Sequence, residues 1–307
     1  MTRQRLLLDP QWRFYQGDFP APPRGQYWTK SGAFSHAPID PAYDDSAWRT
    51  VDLPHDFVVE GDFVRECPDD FLKHSGRGAA ATVSPHAMHG FRKGGAGWYR
   101  RSFHVPDEER GMRMAVAFDG VYRNATFWFN RHFLGRHLSG YTGATFDITE
   151  IVNYGGLNTL VIRVDATEYE GWFYEGGGIY RHVWLMKHDP LHVAPEEVFV
   201  ASDLDLEAAV PRARLTMTAG VRNAGEQRRT GNLAMEIRDS KGAIVARAAA
   251  DFEVAPLGTT PLRLAATVER PRLWSLESPE LYSLTSRIVV DGKALDEYTT
   301  TFGIRSI

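Results

Sequence analysis

Trp172, Phe173, Tyr174 and Glu175 stand in an unbroken row, and Gly176, Gly177 and Gly178 follow directly. A pyranose offers an apolar C–H face and a rim of hydroxyls, so aromatic faces beside a carboxylate are groups suited to bind one. The glycines open backbone conformations closed to residues with a Cβ and let a second surface approach closely. The same residues would serve equally as a glycine-rich corner with its aromatics packed inward, and their spacing leaves both roles open. Other side chains have suitable chemistry but lack company. His55 and Asp56 invite a catalytic reading, yet no nucleophile or third partner lies near them in sequence, and a buried hydrogen-bonded pair fixing a turn is the expected role. His86 and His89 have metal-ligand spacing on a helix, and His132 and His137 fit less well. Neither pair has a clustered third ligand, so no metal and no cofactor are expected. Asn124-Ala125-Thr126 matches a glycosylation sequon but falls within a strand pattern and is read as chance.

The elements that position the aromatic–glycine row are strands. After Gly178, the residues Ile179, Arg181, Val183 and Leu185 alternate with Tyr180, His182 and Trp184, the period of a strand fed by a loop. Alternation is equally clear in Met112, Met114, Val116 and Phe118, in Ala125, Phe127 and Phe129, and in Leu160, Ile162 and Val164. Strands of this length with glycine-containing turns between them predict an antiparallel β-sandwich of the jelly-roll kind up to about residue 190. Asp147 to Val152 is expected to make one helical turn, capped by Asp147 or Thr149. From Leu191 a second unit begins. Ala213, Leu215, Met217, Ala219 and Val221 alternate, as do Leu233, Met235 and Ile237, and Leu284, Ser286, Ile288 and Val290. Asn223-Ala224-Gly225, Asp239-Ser240-Lys241-Gly242 and Asp291-Gly292 are the turn signals between them. About seven short strands here fit an immunoglobulin-like sandwich. The expected organisation is therefore all-β, with domains at 1–190 and 191–307.

Composition agrees. Eight Trp, 17 Phe and 12 Tyr with 28 Gly and 17 Pro favour short strands over long helices. A net charge of −4 gives no sign of a nucleic-acid partner. The one cysteine, Cys67, leaves no internal disulfide to form. Leu6-Leu7-Leu8 is too short for the apolar core of a signal peptide, and no run of 18 apolar residues exists, so the chain as given is expected to be soluble, cytoplasmic or periplasmic, without a membrane partner. Glu60 to Gly97 is the least regular stretch, and such stretches are usually functional or mobile.

The residues from Gly178 to Leu185, Gly-Ile-Tyr-Arg-His-Val-Trp-Leu, resemble the end of the N-terminal sugar-binding domain of glycoside hydrolase family 2, the family of β-galactosidases, β-glucuronidases and β-mannosidases. Further stretches agree in order: Trp48 with Leu53-Pro54-His55-Asp56, His89-Gly90-Phe91 with Gly97-Trp98-Tyr99-Arg100-Arg101, Phe118-Asp119-Gly120-Val121, Trp128-Phe129-Asn130, Phe146-Asp147-Ile148-Thr149, and Asn158 to Val164. Arg272-Leu273-Trp274 with Pro279-Glu280-Leu281-Tyr282 resembles the end of the family's immunoglobulin-like domain, and Phe302-Gly303-Ile304-Arg305 its threshold segment. Beyond that threshold the family carries a (β/α)8 barrel of about 250 residues with both catalytic glutamates. The resemblance thus implies the non-catalytic N-terminal part of a retaining β-glycosidase, β-galactosidase-like from its aromatic loop, with a β-glycoside as substrate, its own barrel as partner, and homo-oligomerisation left open. No catalytic residue is assigned to this chain. Trp172, Tyr174, Glu175 and His89 are the expected residues of the substrate rim, with Arg181 the nearest cation to pair with Glu175. The family's asparagine in the loop before the Gly-Trp-Tyr-Arg strand has no counterpart in Lys93-Gly94-Gly95-Ala96. The alternative is a free-standing carbohydrate-binding protein.

Overall fold

The computed structural model describes residues 3–19, 37–63, 92, 94–167 and 174–305. The chain divides into two compact units, one of Arg5–Arg110 with Met114–Met186, the other of Lys187–Ile307 with Gly111–Arg113 and the chain start to Gln4. Both are built from β-strands, and each is described on its own.

In the first unit, strands β1 (Gln4–Leu7), β2 (Trp12–Gln16), β3 (Arg49–Val51), β4 (Gly95–Val105), β5 (Arg113–Phe118), β6 (Ala125–Phe129), β7 (His132–His137), β8 (Ala144–Asp147), β9 (Gly156–Ala166) and β10 (Val183–His188) form two sheets. Their orders are β3-β2-β4-β9-β6-β7 and β1-β10-β5-β8. The alternation read from the sequence is the reason the sheets face each other. Met114, Val116 and Phe118 of β5, Ala125, Phe127 and Phe129 of β6, and Leu160, Ile162 and Val164 of β9 are all buried. Phe127 of the larger sheet meets Phe118 and Phe146 of the smaller one, each at 4.7 Å between ring centroids. The outer face of the larger sheet has its own aromatic layer, in which Trp98 stacks on Trp128 at 5.6 Å and Trp48 packs against Phe19 and Tyr43.

Two details of this unit matter later. β2 pairs with β4 only as far as Arg13↔Arg100, whereas β4 runs on to Val105. At the other edge β1 lies beside β10. There the Leu8 amide donates to the Val183 carbonyl, and the Asp9 carboxylate accepts from the Val183 amide and from His182 Nδ1. The turn expected between Asp147 and Val152 is a single 3-10 turn over Thr149–Ile151, with Asp147 Oδ1 accepting from the Thr149 amide. Asn124 has φ +47° and accepts from Arg136, and the Ala125 after it has no exposed surface.

The second unit pairs β11 (Leu191–Asp205), β12 (Arg212–Asn223) and β15 (Gly258–Glu269) in one sheet, ordered β11-β12-β15. The other holds β14 (Ile244–Val254), β13 (Arg229–Arg238), β16 (Tyr282–Val290) and β17 (Lys293–Phe302), in that spatial order. Ala213, Leu215, Met217, Ala219 and Val221 line the inner face of β12, where they join Leu233, Met235 and Ile237 of β13 and Leu284 and Ile288 of β16 in one core. Asp291 and Gly292 close the β16–β17 hairpin with φ of +51° and +74°, the two-residue turn whose twist matches its flanking strands. Arg228 forms an exposed ion pair with Glu253.

Polar groups buried in this unit are held in two places. Asp296 on β17 has no exposed side-chain surface, and its carboxylate accepts from Arg3 Nε at 3.0 Å, Arg3 Nη2 at 2.9 Å and the Val193 amide at 2.8 Å. His188 and His192 lie with ring centroids 4.0 Å apart, each Nδ1 donating to a carbonyl, of Asp189 and Pro190 respectively. Burial, with the neighbouring His188 adding to it, pushes the His192 pKa down to about 4. The fold therefore holds His192 neutral, while the unfolded chain protonates it below its ordinary value near 6.5. The unfolded state then binds more protons, so this contribution is complete above about pH 6.5 and is lost as the pH falls toward 4. Thermal unfolding across this window is expected to show a loss on the order of 3 kcal/mol from this residue. His192→Gln should flatten that part of the profile, and equal slopes in both proteins would count against it.

Candidate functional site

The three glycines after Glu175 run between two closely approaching backbone segments. On one side, the His55 amide donates to the Ile179 carbonyl at 2.8 Å and the Phe57 amide to the Gly177 carbonyl at 2.9 Å. On the other, Gly178 exchanges both backbone hydrogen bonds with Tyr122. Close approach on both sides explains the glycines. A Cβ on Gly177 would lie 2.6 Å from Val58 Cγ2, and one on Gly178 would lie 2.4 Å from the His55 carbonyl oxygen. Gly176 and Gly178 also have φ of +73° and +136°, which an L side chain rarely adopts.

Asp56 fastens the loop ahead of these glycines. Its Oδ1 accepts from the amides of Val58, Val59 and Gly177, and its Oδ2 accepts from the Tyr174 hydroxyl at 2.9 Å. Burial first, and then the adjoining Asp56 charge, hold the Tyr174 hydroxyl well above the usual phenol range, so it stays protonated and remains a donor. The Tyr174 ring is 41 % exposed and the Glu175 side chain beside it is buried. Tyr174 is thus an anchor through its hydroxyl and a surface through its ring.

Beneath the loop, His55 Nδ1 and the Tyr99 hydroxyl are 2.7 Å apart. Arg49 Nη2 lies 3.0 Å from His55 Nε2 and also pairs with Glu60. The Glu60 carboxylate also lies 3.3 Å from the same Nε2. Burial keeps the His55 pKa below its ordinary value despite the nearby Glu60, and it drives the Tyr99 hydroxyl far upward. Both rings stay neutral. They support the backbone on either side of Gly178 and do not form a nucleophile–base pair.

Tyr174 and Glu175 sit together at the loop, and Trp172, Phe173, His86 and His89 lie outside the described residues. His55 and Asp56 do fix the chain locally, but they do so separately: His55 bonds Tyr99, and Asp56 reaches a loop 118 positions later. Arg181 does not pair with Glu175, and its guanidinium lies over the Tyr180 ring at 5.8 Å. Ile179 separates the two residues and is fully buried, with its carbonyl committed to His55, so the chain carries Arg181 away from the loop. The sequence held no pointer to Tyr99 or Tyr122 as supports of Gly178. Among the described residues no cluster of three His, Cys, Asp or Glu side chains could hold a metal ion, and His137 instead bonds Thr142.

Two family models match the chain, the sugar binding domain of glycosyl hydrolases family 2 over residues 34–189 and glycosyl hydrolases family 2 over residues 191–305. The β-galactosidase BoGH2A of Bacteroides ovatus is 31% identical over 306 residues, covering 99% of this chain and 32% of that protein. A putative β-glucuronidase of Formosa agariphila is 30% identical over 266 residues, covering 86% of this chain and 23% of that protein. Among solved structures, a glycosyl hydrolase family 2 member from Bacteroides cellulosilyticus superposes with a TM-score of 0.81 at 30% identity, covering 98% of this chain and 35% of that one. The chain spans about a third or less of the length of these relatives.

Proposed function

The chain belongs to glycosyl hydrolases family 2, and from that premise we propose that it is the N-terminal, non-catalytic part of a retaining β-glycosidase, closest in kind to the β-galactosidases. In this reading its two sandwiches support a (β/α)8 barrel, and the loop from Glu170 to Gly178 forms part of the rim of that barrel's sugar site. The observation that carries it is the fastening of Tyr174 and Gly177 by Asp56. Both Asp56 oxygens are committed to holding Tyr174 and Gly177, so this end of the loop is fastened and presents the exposed Tyr174 without chemistry of its own. Rigid placement of substrate-contacting groups is what a rim contributes to the rate, since small misplacements cost large factors. Trp172 and Glu175 are assigned to the same rim, and His89 to the loop that crosses the mouth.

The test uses the full-length β-glycosidase of which this chain is proposed to be part. Trp172→Ala and Glu175→Gln are each expected to lower kcat/KM on an aryl β-galactoside roughly ten-fold or more, about 1.4 kcal/mol of transition-state stabilisation, with Tm nearly unchanged. Tyr174→Phe removes only the bond to Asp56 and is expected to cost several-fold. Wild-type kinetics in Trp172→Ala and Glu175→Gln, or losses that only track unfolding, would make the loop architectural and remove these residues from the rim.

A further inference from the structure

Where the pairing of β2 with β4 stops at Arg13 and β4 runs on, the sheet edge leaves an open cleft of about 390 Å³ lined by Gln11, Arg13, Asp45, Thr50, Arg100, Arg101 and Ser102. Gln11 adopts φ +62° and turns away from β4, which is why the space beside Arg101 and Ser102 is not filled by a continuing strand. Two of the cleft's three guanidiniums, those of Arg100 and Arg13, meet one carboxylate there. Asp45 Oδ2 accepts from Arg100 Nε at 2.8 Å, and its Oδ1 lies 3.9 Å from Arg13 Nε. Arg100 is 2 % exposed and gives its remaining bonds to the carbonyls of Pro38 and Asp40. Arg13 donates to Thr50 Oγ1 at 2.8 Å.

Arg101 has no such settlement. Its one hydrogen bond runs from Nη1 to the Ser102 carbonyl at 3.0 Å, and its Nε is buried with no acceptor among the described residues. Among the described residues no carboxylate pairs with it. A buried donor left in this way costs ~1–3 kcal/mol, more when charged, and an apolar side chain of the same length would avoid that cost. A fork-shaped cation half-buried at a cleft floor is the group that binds a planar or tetrahedral oxyanion through two parallel bonds. Gln11 and Thr50 stand around it with amide and hydroxyl groups, and the cleft volume falls within the range of small-ligand sites, about 300–1,000 Å³.

We propose that this cleft binds an acidic saccharide unit, with the carboxylate or sulfate of the sugar on Arg101 and Arg13 and the sugar hydroxyls on Thr50 and Gln11. The proposal is independent of the rim loop and of the activity assigned above.

The experiment uses the 307-residue chain with ionic strength held constant by sodium chloride. Sodium glucuronate, galactose 6-sulfate, galactose, inorganic sulfate and inorganic phosphate are each titrated by calorimetry and followed through the Arg101 Nε–Hε resonance. Saturable binding of the two acidic sugars, at least ten-fold tighter than the inorganic anions and absent for galactose, is the expected result, with the Arg101 resonance shifting. Arg101→Met should weaken that binding at least ten-fold while leaving the Tm of the free chain equal or higher. Thr50→Val supplies a second variant if Arg101→Met does not fold, and it should weaken the acidic sugars several-fold without affecting sulfate. Absence of binding, equal binding of galactose, equal binding of inorganic anions (an adventitious ion only), or binding untouched by both variants would each overturn the proposal.

Discussion

Purified free of other glycosidases, the 307-residue chain is expected to release aglycone from aryl β-galactosides, β-glucuronides and β-mannosides no faster than buffer does. Retaining hydrolysis requires two carboxylates about 5–5.5 Å apart across the scissile bond, one as acid and one as nucleophile. Three carboxylates that the fold buries or half-buries around the loop and the sheet edge are spent otherwise. Asp9 accepts from His182 and Val183, Asp45 pairs with Arg100, and Asp56 holds the Tyr174 loop. Each is an acceptor already engaged by donors that hold a strand or a loop in place. Loss of both catalytic groups removes essentially the whole rate enhancement, commonly ~10⁶-fold or more. A discontinuous assay with a fluorogenic aglycone has the sensitivity to see a millionth of ordinary turnover. Activity in a homogeneous sample, abolished by changing any single carboxylate of the chain, would refute both this expectation and the non-catalytic role.

Asp296→Ala is expected to be the most damaging single substitution in the second unit. The carboxylate is fully buried and accepts three hydrogen bonds, two from the Arg3 guanidinium and one from the Val193 amide. Removing it leaves a guanidinium that is only 9% exposed without its counter-charge and a strand amide without its acceptor. Breaking one partner of a buried ion pair typically costs ~3–5 kcal/mol. For a unit of this size that corresponds to a fall in Tm of roughly 10 °C or more. The double variant Arg3→Met with Asp296→Ala should recover part of the loss, because no isolated charge is then left in the core. Differential scanning calorimetry of the three proteins decides the matter, and a Tm for Asp296→Ala equal to that of a surface control such as Arg228→Ala would show that the pair contributes little.

Much of the fold was legible because a strand writes its burial into the sequence every second residue. Ala213 to Val221 and Met114 to Phe118 carry that period and are buried as it requires. The Asp291-Gly292 turn was readable for a related reason, since few residue pairs tolerate two positive φ values in succession. The family resemblance located the loop before Gly176. It did not say what holds the loop. Asp56 and Tyr174 are 118 positions apart, and no local pattern of charge or period marks a hydrogen bond across that distance. Proximity in sequence was misleading for Arg181, which lies near Glu175 along the chain and pairs instead with an aromatic face. Arg101 was equally hidden, because in sequence it is one basic residue in a Gly-Trp-Tyr-Arg-Arg strand. Only the early end of the pairing between β2 and β4 makes it the floor of a cleft.

The edge at which β1 lies beside β10 has a consequence for how the molecule is made. Asp9 meets Val183, 174 positions further along the chain. During synthesis at about 5–20 residues per second, the first strand therefore waits on the order of 10–35 s before its partner exists. Throughout that interval the ribosome-bound segment presents an unpaired strand edge, the kind of surface that recruits other chains. Arg3 and Arg5 at that edge are charges of the sort that discourage such recruitment until closure. Closure then comes late and joins both ends of the sandwich at once, a non-local step that slows folding relative to a domain built from neighbouring hairpins. The residues before Asp9 are for this reason the last part of the sandwich to be secured, although they are synthesised well before β10.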